Sequence, residues 1–207
     1  MPTVGVFGGS FNPIHFGHLL LADEICEALR LDRVLFVPAA VPPHKPAAEL
    51  ASAEHRYRMT VLAVREHPRF AVSDIELRRE GPSYTVDTLM ALKNEGALKL
   101  LIGSDTFLDL LSWREPRMVA RLARLVVVPR TGGDFDQEGP AAQKVLHELG
   151  LAAFGAADGP VIYRAASLPI SGSDLRLRAR EGRSLAYRMP ESVAAYIREH
   201  GLYRAEA

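Results

Sequence analysis

The fully apolar run Val4–Phe7 is followed by the pair Gly8-Gly9, and the pair by a helical pattern. That succession of local states constrains the chain more than any other feature in it. Val4-Gly5-Val6-Phe7 has the length and composition of a short buried strand. Asn12-Pro13 marks a turn or a helix entry. From about His15 to Arg30, the residues Leu19, Leu20, Ala22, Ile25, Cys26 and Leu29 recur at helical spacing. The stretch predicts a strand, a glycine-rich turn and a helix, with His15 and His18 near the helix N-terminus.

Such a turn has a physical use. The first N–H groups of a helix lack internal acceptors, and the macrodipole makes that end positive. Glycine lets phosphate oxygens approach the backbone without a Cβ in the way. His15 and His18 can each donate a hydrogen bond to phosphate, with Gly17 leaving room between them. Neither common phosphate loop is present: there is no Gly-Lys-Ser/Thr, and Gly8, Gly9 and Gly17 do not fit the dinucleotide fingerprint. The alternative is a structural turn with two incidental histidines; His-x-Gly-His at a helix start weighs against it.

The same alternation continues along the chain. Val34–Val37 reads as a second strand, making a βαβ unit whose strands are parallel. A proline-rich loop holding Pro42-Pro43-His44-Lys45-Pro46 follows. A helix is expected from about Ala53 to Glu66, capped by Ser52, then extended chain over Phe70–Leu77. Further helices are predicted from about Val86 to Asn94, through Phe107–Trp113, from Pro116 and over Ala141–Leu149. Strands are predicted at Lys99–Ile102, Leu125–Val128 and Val161–Tyr163, and two last helices at Asp174–Arg180 and Pro190–His200. The expected fold class is α/β, a doubly wound, mainly parallel sheet with helices on both faces and a small C-terminal helical part over about 171–207. In such sheets ligands bind beyond the carboxyl ends of the strands, where strand order reverses. Gly8–His18, Gly103–Asp105 and Arg130–Gly133 all sit at such ends and can converge on one cleft.

With 207 residues and 48% hydrophobic content, one domain with one substantial core is expected. Zero formal net charge argues against a broad nucleic-acid footprint or an anionic membrane surface, while allowing a local basic pocket. The single cysteine, Cys26, falls on the apolar side of the first helix, so a buried thiol is expected and no disulfide can form within the chain. No signal peptide and no apolar run approaching a membrane span is present, which points to the cytoplasm.

Two further groups can carry chemistry. Lys45 lies among Pro42, Pro43 and Pro46, from where it can cross a cleft to a triphosphate; its plainer reading is a solvated lysine. Ser171-Gly172-Ser173 precedes a helix, so hydroxyls and helix N–H groups can again hold phosphate, and Arg176, one turn in, supplies a planar fork of donors. The plainer reading there is an N-cap with a surface arginine.

Gly8-Gly9-Ser10-Phe11-Asn12-Pro13-Ile14-His15-Phe16-Gly17-His18 resembles the signature of the nucleotidyltransferases that share His-x-Gly-His, and within them the bacterial nicotinate-nucleotide adenylyltransferases. Ile170-Ser171-Gly172-Ser173-Asp174-Leu175-Arg176 is similar to that family's C-terminal motif, with Gly172 and Ser173 as mild departures. The resemblance runs from Val4 to Tyr203 and includes Pro43-His44-Lys45, Thr85-Val86-Asp87-Thr88-Leu89, Gly103-Ser104-Asp105 and Trp113. Two motifs about 150 residues apart in the right order are far more specific than either alone.

The resemblance implies a Rossmann-like fold and adenylyl transfer from ATP to nicotinate mononucleotide, with deamido-NAD and pyrophosphate as products. It implies His15, His18, Lys45 and Arg176 as catalytic residues. ATP would be bound by Gly8, Gly9, Ser10, Phe11, Gly17, Gly103, Asp105, Ser171 and Ser173. Thr85 and Trp113 would hold the nicotinate group, although Trp113 alone could equally be a core residue and Asp105 a helix cap. Mg²⁺ would come with the nucleotide, with no protein ligand assigned. No nucleic acid or membrane partner is implied; a homo-oligomer is compatible with the sequence. The alternatives are the nicotinamide mononucleotide as acceptor, or a non-catalytic nucleotide sensor on the same fold.

Overall fold

A computed structural model describes residues 1–43, 50–129, 135–166 and 168–204. Six strands form one sheet in the order β3-β2-β1-β4-β5-β6: β1 (Thr3–Gly9), β2 (Arg33–Pro38), β3 (Phe70–Val72), β4 (Ala97–Gly103), β5 (Arg124–Val128) and β6 (Val161–Ile162). Every adjacent pair is parallel, with Val6 beside Leu35 on one side and Leu100 on the other. The expectation of a mainly parallel sheet is met and strengthened.

Strand side chains alternate between faces, so an apolar strand serves two cores at once. Val4, Val6, Leu35, Val37, Leu100, Ile102, Leu125 and Val127 pack with residues of α3 (Thr85–Leu92), α5 (Pro116–Leu122) and α6 (Pro140–Leu149). Phe7, Val34, Phe36, Leu101 and Val126 pack with α1 (Phe16–Ala28), α2 (Ala53–Val64), α7 (Gly172–Arg180) and α8 (Glu191–Glu199). The C-terminal helices therefore share a core with α1 and α2, through Leu175, Val193 and Ile197. Each buried Val, Leu or Phe contributes roughly 1.5–3 kcal/mol. Exposed ion pairs such as Arg58–Glu54 are screened by water and add little, so the two apolar layers dominate the stability.

Local signals explain the element ends. Ser52 Oγ accepts the His55 N–H at 3.2 Å at the start of α2, and Ser171 Oγ accepts the Asp174 N–H at 3.2 Å at the start of α7. The expected helix from His15 runs as Phe16–Ala28, with Arg30 beyond it at φ 50°. The region expected to be extended through Leu77 is strand only to Val72. Beyond it, Ser73 Oγ accepts the Ile75 N–H at 3.3 Å and the Arg78 N–H donates to the Asp74 carbonyl at 3.1 Å, winding residues 75–78 into a turn. Phe107–Trp113 divides into α4 (Ser104–Leu108) and a 3₁₀ turn, Leu110–Ser112. Cys26 is buried, its thiol pushed up chiefly by burial. Among the described residues, no helix is long and apolar enough to cross a membrane.

Candidate active site

Strand order reverses between β1 and β4, the two central strands, with β2 and β5 outside them. Two cavities open there. The larger, about 680 Å³, is lined by Gly8, Gly9, Ser10, Thr85, Trp113 and Glu76 among others. The smaller, about 350 Å³, is lined by His15, Gly17, His18, Pro129 and Ile170 among others. They share the wall formed by Phe7, Leu101, Ile102, Gly103, Asp105 and Thr106. Added Cβ atoms at Gly8 and Gly103 would meet nothing within 4 Å, so both glycines present bare backbone to open space.

The turn after β1 builds the histidine lobe. The His15 and His18 rings lie 3.8 Å apart between centroids, at 32° to one another. The His15 N–H donates to His18 Nδ1 at 3.3 Å, so a neutral His18 ring carries its proton on Nε2. His15 is 7% exposed, and burial lowers its pKa to about 4, leaving it neutral near pH 7. Its Nδ1 has no hydrogen-bond partner among the described residues. Gly17 has a second reason beyond space for a ligand: a Cβ there would sit 3.0 Å from His15 Nδ1 and 3.1 Å from Cε1. Gly9 likewise faces the Phe11 ring, which a Cβ would meet at 3.1 Å.

The Phe11 side chain turns away from the cleft. It is 2% exposed and lines neither cavity. It stands edge-on to Phe7 at 5.6 Å and to His18 at 5.2 Å, so it props the histidine from behind.

Asp105 lies in the first turn of α4, which Gly103 enters, and it lines both cavities. Thr85 opens α3, where first-turn N–H groups lack intrahelical acceptors. Trp113 follows the 3₁₀ turn in extended backbone and lines the larger cavity. Beside it, the Arg114 guanidinium lies 4.8 Å from the centre of the Tyr84 ring.

Ser171, Ser173 and Arg176 line neither cavity. Ser171 is engaged as the cap of α7. Arg176 Nη1 donates to the Asn12 carbonyl at 2.9 Å and Nη2 to Ser173 Oγ at 3.3 Å, tying α7 to the turn that carries the histidines. A Cβ at Gly172 would lie 3.1 Å from the same carbonyl, so the departure at that position keeps the tie close. Asn12 Oδ1 also accepts from the Tyr203 hydroxyl at 2.8 Å and the Ala51 N–H at 3.1 Å. Lys45 and the stretch Arg130–Gly133 lie outside the described residues.

Sequence reasoning missed two buried charged residues. Arg56 is 1% exposed and donates to four carbonyls: Ala51 at 2.9 Å, Ser10 at 2.9 Å, Ala39 at 2.5 Å and Ala40 at 3.0 Å. It fixes the chain leaving β2 and the approach to α2 against the turn after β1. Its spacing from Met59, on the inward stripe of α2, was the available signal. Glu76 is 7% exposed, and its Oε1 accepts from the Thr88 hydroxyl at 2.6 Å. Burial raises its pKa above the usual glutamate value.

The Cytidylyltransferase-like family model matches residues 6–178. A Thermus thermophilus protein described as a probable nicotinate-nucleotide adenylyltransferase is 44% identical over 205 residues, covering 97% of this chain and 99% of the relative. A Roseiflexus protein of the same description is 43% identical over 203 residues, covering 97% and 98%. Among solved structures, the nicotinic acid mononucleotide adenylyltransferase of Plasmodium falciparum complexed with NaAD superposes with a TM-score of 0.73 at 19% identity, covering 98% of each chain, which supports the fold. The parallel sheet, the cleft at its switch point and these matches agree: the chain belongs to the cytidylyltransferase-like nucleotidyltransferases, in the nicotinate-nucleotide adenylyltransferase family.

Proposed function

We propose that this chain transfers the adenylyl group of ATP to nicotinate mononucleotide, releasing pyrophosphate and forming deamido-NAD. The observation that carries the reading is the two-lobed cleft: paired histidines in one lobe, Thr85 and Trp113 in the other, with Asp105 on their common wall. A phosphate oxygen of the acceptor, held in the tryptophan lobe, attacks the α-phosphorus of ATP held over the histidines. The O–P bond to pyrophosphate breaks as the new one forms. No side chain becomes covalent, so positioning and charge neutralisation carry the catalysis.

Each residue has a part in that reading. Gly8, Gly9, Gly103 and the turn at Ser10 admit phosphate and ribose close to the backbone. The Nε2–H of His18 donates to the transferring phosphate, and His15 gains a partner for its orphaned nitrogen. Asp105 accepts from a ribose hydroxyl. Arg176 and Lys45 balance the departing pyrophosphate, Arg176 from the base of the histidine turn and with Ser171 and Ser173 beside it. Trp113 stacks on the pyridine ring, and Thr85 offers hydroxyl and N–H donors to its substituent.

Mg²⁺ fits this site as a companion of the triphosphate rather than as a caged ion. The donors facing the cleft include the hard oxygens of Asp105 and Thr106, and among the described residues no cluster of three or more His, Cys, Asp or Glu could hold a metal. When bound, it supplies neutralisation of the phosphate charge.

The test is product formation from ATP and Mg²⁺, offered nicotinate mononucleotide and nicotinamide mononucleotide in parallel. Deamido-NAD formed with a strong preference for the acid is expected. Equal rates keep the chemistry and remove the Thr85–Trp113 assignment. Tight ATP binding without pyrophosphate release from either acceptor identifies a nucleotide sensor instead.

A further inference from the structure

Thr85 and Trp113 alone give the larger lobe a stacking surface and donors, which serve an amide oxygen as well as a carboxylate. Glu76 supplies the missing discrimination. It comes off the turn at residues 75–78 and lines the same lobe, with nine-tenths of the residue buried. Its Oε1 is held by the Thr88 hydroxyl at 2.6 Å. Its Oε2 is buried with no hydrogen-bond partner among the described residues. A carboxyl built into the wall of a site for a carboxylate-bearing ring either opposes that ligand or gives up its own charge.

We propose that Glu76 sets the choice between a carboxylate and a carboxamide on the pyridine ring: neutral, it admits the acid, and ionised, it opposes the acid and tolerates the amide. This rests on the assignment of the larger lobe to the mononucleotide.

The surroundings favour the neutral form in the empty site. Burial raises the Glu76 pKa, and the Thr88 and Ser83 hydroxyls, the Arg79 charge and the Ala40 N–H offset that only in part. Arg79 Nη2 lies 3.5 Å from both Thr88 Oγ1 and the Tyr84 carbonyl, and makes no ion pair with Glu76 among the described residues. From α2, Arg56 contributes a nearby positive charge, with four of its five N–H donors given to backbone carbonyls and no hydrogen bond to Glu76 among the described residues. Asp105, Asp109 and Arg114 line the same cavity. An incoming carboxylate adds a like charge to this wall and raises the Glu76 pKa further; a carboxamide does not. At pH high enough to ionise Glu76 in the empty site, the acid thus binds with proton uptake at Glu76; below that it meets a carboxyl already neutral.

The experiment follows the ratio of kcat/KM for nicotinate mononucleotide to that for nicotinamide mononucleotide from about pH 5 to about pH 9, a span that covers documented buried glutamates. Titration of the histidines and of the substrate phosphate cancels in this ratio. The ratio is expected to fall about tenfold or more with rising pH, and to become flat in Glu76→Gln, which keeps its use of the acid. At the alkaline end of that range, calorimetry of nicotinate mononucleotide in buffers of different ionisation enthalpy should show more proton uptake in the native chain than in Glu76→Gln, and no difference between them at the acid end. Should Glu76→Gln fold poorly in a thermal melt, Thr88→Val provides the second variant, which removes the donor to Oε1 and moves the pH midpoint upward. A flat ratio in the native chain, with turnover on either nucleotide intact, overturns the proposal and leaves the adenylyl transfer standing. Absence of turnover on both nucleotides overturns the functional reading as well.

Discussion

The histidine lobe and the tryptophan lobe share the ends of β1 and β4, and each buries one titratable side chain with an unsatisfied atom. In the first it is His15, a cation-former pushed down to about 4. In the second it is Glu76, an anion-former pushed up. Burial disfavours charge of either sign, so both groups tend toward the neutral form. Their ligands then act in opposite ways. On the proposed reading, a triphosphate entering beside His15 favours its protonation and gains a cation, whereas a carboxylate entering beside Glu76 favours its neutral form and avoids an anion. Burial alone makes these two groups quieter than their residue types suggest.

The largest expected effect falls on the histidine lobe. His18→Ala should lose about 100-fold or more in kcat, as removal of one transition-state donor costs roughly 3–4 kcal/mol, while ATP binding falls less. Near-normal turnover of that variant removes the division of labour between the lobes.

Next is Trp113→Ala, which should raise KM for nicotinate mononucleotide roughly tenfold to 100-fold, in line with a lost ring stack, and leave KM for ATP nearly unchanged. A rise in KM for ATP of the same size would merge the two lobes into one nucleotide site. Gly17→Ala tests the histidine lobe from its other side. A Cβ 3.0 Å from His15 Nδ1 must displace that ring. We expect about a tenfold loss in kcat/KM for ATP, with the mononucleotide unaffected.

The smallest effect is on stability. The His15 pKa is about 4 folded, against 6.5 as its ordinary value. Between those values the unfolded chain binds more protons, so stability is fully present above pH 6.5 and falls as pH drops toward 4, by at most about 3 kcal/mol. Glu76 contributes with the opposite sign, losing stability as pH rises through its raised folded value. Thermal melts across pH should show the acid limb flattened in His15→Asn, and the loss that sets in above the ordinary glutamate value of 4.5 flattened in Glu76→Gln.

How much of this was legible in the sequence divides along physical lines. Strands β1, β2, β4 and β5 have buried apolar centres, and such runs announce themselves. The helix-start histidines, Ser52 and Ser171 follow from capping and turn chemistry, which is local. What stayed hidden depends on contacts between distant segments. Arg176 meets Asn12 across 164 residues, and Tyr203 meets the same asparagine across 191. Glu76 sits between Ile75 and Leu77 in what reads as a strand, and only the turn fixed by Ser73 and Asp74 brings it inward. Phe11 belongs to a glycine-rich motif, yet its ring turns to Phe7 and His18 because the backbone there adopts φ 43°. Thr85 and Trp113 entered through resemblance; periodicity alone left Trp113 open between core and platform.

Trp113 is the only tryptophan in the chain, so its fluorescence reports on one lobe alone. The most direct measurement is its response to each ligand added separately. Nicotinate mononucleotide should change Trp113 emission saturably without ATP present, and ATP with Mg²⁺ should bind, by calorimetry, while leaving that emission nearly unchanged. A saturable change with ATP and none with the mononucleotide would contradict the assignment of the two lobes and the line of attack built on it.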